Sequence, residues 1–194
     1  MSFLKSLSGQ AVLFDVLEAF PESARPLMDF HDVVLRGPSP LGVEQRELIA
    51  AYVSGLNACH WCHRIHTRVA AAFGVDRDLL EQVVDDVDSS AVAEEMKPLL
   101  RLVRKLTLTP GRMTRADAEA VFAVGWDDRA LHDTVSICAL FNFMNRLVEG
   151  LGIGGDTEDL DIAARRIYER GYGALVSRPD LESASDVGQP DDEE

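Results

Sequence analysis

The chain has 194 residues, of which 46% are hydrophobic and 27% are charged. This composition is typical of one soluble globular domain with its own core, and it excludes a disordered or fibrous protein. The formal net charge is −14 and the pI is about 4.7, so the surface repels phosphate backbones and anionic lipids. We therefore expect neither nucleic acid nor a membrane among the partners of this protein.

The start of the chain and its cysteines indicate a compartment. The first residues, MSFLKSLSGQAVLF, hold one lysine and no long apolar run of the kind that a secretory signal peptide contains. No segment reaches the roughly 20 apolar residues that span a bilayer. We therefore expect a cytoplasmic protein, in which structural disulfides are rare. Two of the three cysteines, Cys59 and Cys62, form a C-x-x-C, which in a reducing compartment indicates redox chemistry or a metal.

Apolar residues recur at helical spacing along almost the whole chain, and no segment alternates as a strand would. The predicted helices lie at residues 11–19, 25–36, 43–56, 59–73, 76–87, 97–106, 114–125, 127–152 and 160–174. This pattern predicts an all-α fold, a single-domain bundle of about seven to nine helices over residues 1–177. Residues 178–194 hold seven acidic residues against one arginine and no aromatic residue, so we predict an acidic, disordered tail there.

Local signals mark several helix ends. Gly37 and Gly74 stand where helices stop, and Asp127 is placed to cap the long helix that follows it. The helix at 43–56 is expected to bury one face, because its apolar residues fall at spacings of one, three and four. Asn57 is a candidate cap for the helix that carries the cysteines.

The residues that can carry chemistry lie around the C-x-x-C. If a helix begins at about residue 59, one stripe along it contains Cys59, Cys62, His66, Val69 and Phe73. Because Val69 and Phe73 are core positions, we expect the two thiols and the imidazole to face the core near the start of this helix.

Three effects are expected to act on the two thiols. The unpaired N–H groups at a helix start favour thiolate and can lower a cysteine pKa from its usual value of about 8.5. His66 lies one turn beyond Cys62 and can exchange a proton with it, directly or through a water. Cys59 and Cys62 lie on one turn and can close into a reversible disulfide. One thiolate can thus reduce a peroxide and become a sulfenic acid, which the second thiol converts to a disulfide with release of water.

A carboxylate on the preceding helix completes the candidate site. Glu47 lies in a row with Ala51, Ser54 and Ala58, whose small side chains allow two helices to approach closely. We expect Glu47 to orient His66 and to act as the terminal proton acceptor.

These residues and their spacing resemble a known family. The segment ELIAAYVSGLNACHWCHRIHTRVAAAFGV places Glu47 twelve residues before the C-x-x-C and His66 four residues after its second cysteine. This pattern is similar to the signature of the alkylhydroperoxidase D-like proteins of the carboxymuconolactone decarboxylase superfamily. The later segment FNFMNRLVEGLGI resembles a block common in the peroxidase-related branch, so the resemblance covers roughly residues 10 to 175.

The resemblance implies an all-helical subunit that assembles as a dimer, trimer or hexamer. It also implies peroxidase activity through the cysteine pair, with Glu47 and His66 as the proton relay. By this analogy Cys62 attacks the peroxide and Cys59 resolves the sulfenic acid, whereas the helix-start argument favours Cys59 as the attacking thiol. This chain departs from the best-studied members by holding Trp61, in place of a histidine, directly before the second cysteine.

We therefore predict a thiol peroxidase that reduces hydrogen peroxide or organic hydroperoxides without a bound cofactor. Its disulfide needs an outside reductant, such as a thioredoxin-like or lipoyl protein. Two alternatives stay open. One is a non-catalytic redox-responsive or zinc-binding module, with Cys59, Cys62 and His66 or His63 as metal ligands. The other is a decarboxylase of muconolactone-like substrates, which generally does not depend on such a cysteine pair.

The remaining conspicuous residues have structural interpretations. Cys138 lies among apolar neighbours and is expected to be a buried small hydrophobe. Trp61 is expected to form a wall of the pocket or an interface, and His31 resembles an ordinary helix residue. Asn142 and Asn145, in the second block, are expected to pair buried helix ends or subunits and not to contact substrate.

Overall fold

The computed structural model of the protein describes residues 1–155 and 157–176. Within these residues the chain forms nine α-helices and two short 3₁₀ turns, and none of them lies in a β-strand. The prediction of an all-α fold is confirmed. The predicted domain boundary at residue 177 and the predicted acidic tail at 178–194 lie outside the described residues.

Each predicted helix corresponds to one in the structure. In chain order they are α1 (Leu13–Ala19), α2 (Pro21–Arg36), α3 (Val43–Leu56), α4 (His60–Ala72), α5 (Arg77–Asp85), α6 (Met96–Leu108), α7 (Arg115–Ala123), α8 (Asp128–Gly150) and α9 (Thr157–Arg170). Helix α2 begins earlier than predicted, because Pro21 occupies its first turn, where a missing N–H costs nothing. The last helix ends earlier than predicted, at Arg170, because Gly171 adopts a φ of 75° that stops the helix.

Helix α3 is the central helix of the bundle. Every residue from Arg46 to Ser54 is buried, and α2, α4, α5, α6 and α8 all pack against it. The expectation of a single buried face is therefore wrong. Even the charged Arg46 is buried, and it donates to the carbonyls of Val34, at 3.3 Å, and Gly37, at 2.9 Å, at the end of α2.

The short link between α3 and α4 positions the cysteines. Asn57 is the C-cap of α3, and Cys59 stands at the N-cap of α4, so the prediction that Asn57 caps the cysteine-bearing helix is wrong. The Asn57 side-chain amide instead donates to Asn142 Oδ1 at 3.1 Å and to Asn145 Oδ1 at 2.9 Å. These bonds tie the link to α8, as the structural interpretation of the two asparagines expects. Ala58 then adopts a left-handed φ of 53°, which turns the chain into α4.

Helix α8 packs on both α3 and α6. Cys138 on this helix is fully buried, as predicted, and its thiol lies beside the Thr107 hydroxyl. The Asp127 carboxylate accepts a hydrogen bond from the Ala130 N–H at 2.8 Å, which confirms the predicted start of this helix. Among the helices of the described residues, none has both the length and the apolar character needed to cross a bilayer.

Candidate active site

The four predicted site residues lie where α4 packs against α3. Cys59 stands at the start of α4, and Cys62 and His66 follow on the face that this helix turns toward the core. Glu47 and Cys59 have no exposed surface, and Cys62 and His66 are only 4% and 7% exposed. The structure therefore brings two thiols, an imidazole and a carboxylate into one buried region between neighbouring helices.

Glu47 is the centre of a buried hydrogen-bond network. Its Oε2 accepts from His66 Nδ1 at 2.9 Å, and its Oε1 accepts from Arg36 Nη1 at 2.7 Å and from the Tyr172 hydroxyl at 2.9 Å. Burial acts to raise the pKa of this carboxyl, but the hydrogen bond from His66 and the charge of Arg36 hold the pKa below its usual value. Glu47 is thus ionised and able to stabilise a protonated His66.

This network selects one tautomer of His66. Because Nδ1 donates to an ionised Glu47, the neutral ring carries its lone pair on Nε2. Phe141 stands edge-on to the ring at a centroid distance of 4.5 Å, and Tyr172 lies nearly parallel to it at 6.2 Å. The imidazole is held in place by these contacts, and it lines a cavity together with Cys62. Its Nε2 is thereby available to accept a proton.

The two cysteines are both reduced but have different surroundings. Cys62 lines the cavity, whereas Cys59 is fully buried and is not among the lining residues. A hydrogen bond with Cys62, together with burial, raises the pKa of the Cys59 thiol. The expectation that the helix start lowers the thiol pKa is therefore wrong for Cys59, because the second sulfur and burial both act to raise that pKa.

The cavity beside Cys62 and His66 has a volume of about 30 Å³. This is room for a group the size of one or two waters, which matches a peroxide O–O unit. Its walls are mainly apolar and include Leu17, Trp61, Ile65 and Phe141. Trp61 is thus a wall residue, one of the two places expected for it.

Three further residues belong to the site without having been predicted: His31, Arg36 and Tyr172. His31 was expected to be an ordinary helix residue, but it is only 2% exposed and lines the cavity. In the sequence, Arg36 looks like one of the basic residues that commonly occupy the last turn of a helix, and it does lie in the last turn of α2. Tyr172 lies 125 residues from Glu47 in the chain. No local pattern marks these three, because their contacts with the site arise only when α2 and the C-terminal segment pack against α3 and α4.

The segment after α9 carries Tyr172 into the site. The Asp32 carboxylate accepts the backbone N–H of Tyr172 and that of Gly173, each at 2.7 Å. Gly171 turns the chain at a φ of 75°, and a Cβ at this position would lie 2.7 Å from Asp32 Oδ1, so the turn requires glycine. Burial and the charge of Glu47 raise the pKa of Tyr172, which keeps its hydroxyl protonated as a donor.

Two other histidines close to the cysteines in sequence, His60 and His63, do not join this network. His63 Nδ1 donates to the Ala51 carbonyl at 2.8 Å, and His60 is exposed. Within the described ranges no three side chains of His, Cys, Asp or Glu converge on a point where a metal ion could bind. The zinc-binding alternative therefore finds no ligand set in this part of the chain.

Comparisons with known proteins point to one family. The model of the carboxymuconolactone decarboxylase family matches residues 21–105, a stretch that contains all four predicted site residues. No curated protein matches the chain. A peroxidase-related protein from Silicibacter sp. TM1040 has a solved structure that is similar to this chain, with 25% sequence identity and a TM-score of 0.68 over 74% of this chain and 76% of that one.

Two other solved structures share the fold. A peroxidase-related protein from Ralstonia eutropha JMP134, described as an alkylhydroperoxidase AhpD core, is 21% identical with a TM-score of 0.70 over 77% of this chain and 78% of that one. The debrominase Bmp8 in complex with 2,3,4-tribromopyrrole is 14% identical with a TM-score of 0.66 over 80% of this chain and 81% of that one. The same helical architecture is thus present in proteins named for different reactions.

Proposed function

Because the chain belongs to the carboxymuconolactone decarboxylase superfamily, in the branch of the alkylhydroperoxidase D-like, peroxidase-related proteins, we propose that it is a thiol peroxidase. Its substrate is hydrogen peroxide or an organic hydroperoxide, and its electrons come from Cys59 and Cys62. One observation carries the proposal: His66 is held at 2.9 Å by buried Glu47 and lines the cavity on which Cys62 opens. A histidine whose Nδ1 is held by a carboxylate and which lines the same cavity as a thiol is suited to act as a general base.

In the proposed reaction Cys62 is the attacking thiol. His66 takes the thiol proton on Nε2, the thiolate attacks the terminal oxygen of the peroxide, and the O–O bond breaks. The departing alkoxide or hydroxide takes the proton back from His66 and leaves a sulfenic acid on Cys62. One observation supports this order of the cysteines: Cys62 lines the cavity, whereas Cys59 does not.

Cys59 then closes the disulfide. Its sulfur attacks the sulfenic sulfur of Cys62, its proton is lost, and water leaves. One hydroperoxide and two thiols thereby become one alcohol, one water and one disulfide. Cys59, at the N-cap, and Cys62 lie on the first turn of α4, and their thiols share a hydrogen bond, so the two sulfurs are already close to each other.

The disulfide has to be reduced by an external dithiol, and we propose a lipoyl protein or a thioredoxin-like protein for this role. Both sulfurs are buried, which favours a slender dithiol, such as a lipoyl arm, over a reductant that presents a broad protein surface. The proposal includes a cytoplasmic location, where such dithiols are kept reduced. Assembly as a dimer, trimer or hexamer stays a prediction.

Peroxide consumption with dihydrolipoamide as reductant tests the proposed function. We expect the wild-type protein to turn over, and Cys62→Ser and Cys59→Ser each to abolish turnover, because either change removes one of the two thiols. Cys138→Ala is the matched control, since this third cysteine is buried away from the cavity and should keep the wild-type rate. Full activity in a protein that lacks both Cys59 and Cys62 would end the proposal.

Metal analysis of protein purified without added zinc separates the proposal from the metal-binding alternative. Stoichiometric zinc in the wild type that disappears in Cys59→Ser would favour a zinc module. A zinc-free wild type with dithiol-dependent turnover is the outcome that the peroxidase proposal expects.

A further inference from the structure

His31 is a buried polar side chain that the proposed reaction does not use. It reaches the cavity from α2, on a different helix from Cys62 and His66, and it is only 2% exposed. The Phe141 ring is nearly perpendicular to the His31 ring, with the two centroids 6.0 Å apart, and the tilted Tyr172 ring has its centroid 5.0 Å from that of His31. The imidazole therefore has a defined orientation in the cavity wall.

The hydrogen bonds of His31 leave one ring nitrogen unsatisfied. Its Nδ1 lies 2.7 Å from the carbonyl oxygen of Leu27, which can only accept, so Nδ1 carries the proton. The lone pair of the neutral ring is then on Nε2, which has no hydrogen-bond partner in the part of the chain that the structure describes. Because His31 lines the cavity, a donor bound in the cavity can satisfy this acceptor.

The charge state of His31 agrees with a role as an acceptor. Burial lowers its pKa to about 4, an effect to which nearby His66 adds and which the charges of Glu47 and Asp32 only partly oppose. At neutral pH the ring is therefore uncharged, and its Nε2 remains a hydrogen-bond acceptor.

We propose, on the basis of the proposed function, that Nε2 of His31 binds the O–H group of the hydroperoxide and directs its terminal oxygen toward Cys62. The two histidines of the cavity then serve two different protons. His66 takes the thiol proton and returns it to the leaving alkoxide, whereas His31 holds the hydrogen that stays on the transferred oxygen. When the S–O bond forms and the O–O bond breaks, that oxygen and its hydrogen become the sulfenic acid of Cys62, and the electron pair leaves with the alkoxide. His31 is thus a substrate-binding residue that favours oxidants with an O–H on the attacked oxygen.

Two reagents that both react with the Cys62 thiolate distinguish binding of the hydroperoxide O–H by His31 from a general effect of His31 on the reactivity of Cys62. Cumene hydroperoxide carries the O–H that His31 would bind, whereas methyl methanethiolsulfonate reacts with the same thiolate and has no O–H. Single-turnover rates with both reagents would be measured in the full-length chain carrying Cys59→Ser, so that the reaction stops at Cys62. The variants compared are His31→Phe, which keeps a ring but loses the acceptor, and His31→Gln, which keeps an acceptor. His132→Phe is the matched control on an exposed position.

We expect His31→Phe to slow the reaction with cumene hydroperoxide by about 10- to 100-fold. The rate with methyl methanethiolsulfonate should stay within about threefold of the parent, and His31→Gln should recover most of the loss. Equal hydroperoxide rates in His31→Phe and its parent, or the same loss with both reagents, would overturn the inference while the proposed function stands. A parent that reacts with methyl methanethiolsulfonate but with neither hydrogen peroxide nor cumene hydroperoxide would overturn the proposed function, and this inference with it.

Discussion

At the scale of single residues, the site depends on a carboxylate that stays charged without contact with water. Glu47 is fully buried, yet His66, Arg36 and Tyr172 all donate to its two oxygens. The charge of Arg36 balances that of Glu47, and the carboxylate stabilises a proton that His66 takes up. A buried charge of this kind is tolerated only while its partners are present.

Replacement of Glu47 by glutamine tests this role. We expect kcat/KM for hydroperoxides to fall by roughly 10²- to 10⁴-fold, because the amide keeps the size of the side chain but cannot stabilise a protonated His66. Glu44→Gln, an exposed change on the same helix, should leave kcat/KM unchanged. Steady-state kinetics, with folding checked by circular dichroism, measure the effect. A folded Glu47→Gln protein with wild-type kcat/KM would contradict the relay.

At the scale of secondary-structure elements, α2 and the segment after α9 act as one support for the site. Helix α2 supplies His31 and Arg36 directly, and its Asp32 holds the backbone of Tyr172 and Gly173 with two hydrogen bonds of 2.7 Å. Arg36 also lies over the Tyr172 ring, with its Cζ 5.1 Å from the ring centroid. The position of the Tyr172 hydroxyl on Glu47 therefore depends on an anchor outside α3 and α4.

Asp32→Ala is expected to release this segment. Hydrogen exchange at the amides of Tyr172 and Gly173 should accelerate by about 10- to 100-fold, since each amide loses a charge-assisted hydrogen bond. We expect kcat/KM to fall with it, because Tyr172 no longer holds Glu47. Asp29→Ala, on the exposed face of the same helix, is the control for loss of one negative charge. Unchanged exchange at both amides in Asp32→Ala would show that other contacts hold the segment.

At the scale of the whole molecule, burial of a titratable group couples folding to pH. The pKa of His31 is about 4 in the folded protein against a usual value of 6.5. Between these values the unfolded chain binds more protons, so stability rises with pH there. The neutral His31 ring makes its full contribution to the free energy of unfolding above about pH 6.5, and this contribution is lost as the pH falls toward 4. Glu47, Asp32 and His66 are the charged or titratable groups that act on the ring from its surroundings.

Proton uptake by His31 on unfolding is expected to lower the free energy of unfolding by up to about 3 kcal/mol between pH 7 and pH 4. Urea unfolding at pH 7, 5.5 and 4.5 measures the loss, and His31→Phe should flatten the curve because the phenyl ring binds no proton. His132→Phe removes an exposed histidine and should keep the wild-type pH dependence. Parallel curves for His31→Phe and the wild type would show that His31 does not carry the effect.

The helices and the centre of the site were predictable because their signals are local. The bounds of α3 match the prediction, and Asp127 caps α8 as expected, since periodicity and capping depend on residues a few positions apart. Cys59, Cys62 and His66 share one helix, so spacing alone places them on one face. Glu47 could be predicted from its place on the preceding helix and from the resemblance to a family whose signature has the same four residue types at the same spacing.

Long-range packing decided what local signals could not predict. Periodicity describes one helix at a time, so it did not show that α3 is covered on all sides or that Asn57 bonds to α8. His31 and Tyr172 come from opposite ends of the chain, and neither has a neighbour in sequence that reveals its role. The sequence by itself determined an all-helical chain with two thiols and an imidazole on one helix face. Only the tertiary structure decided which donors surround Glu47 and which groups line the cavity, because hydrogen bonds over more than a hundred residues exist only after the helices pack.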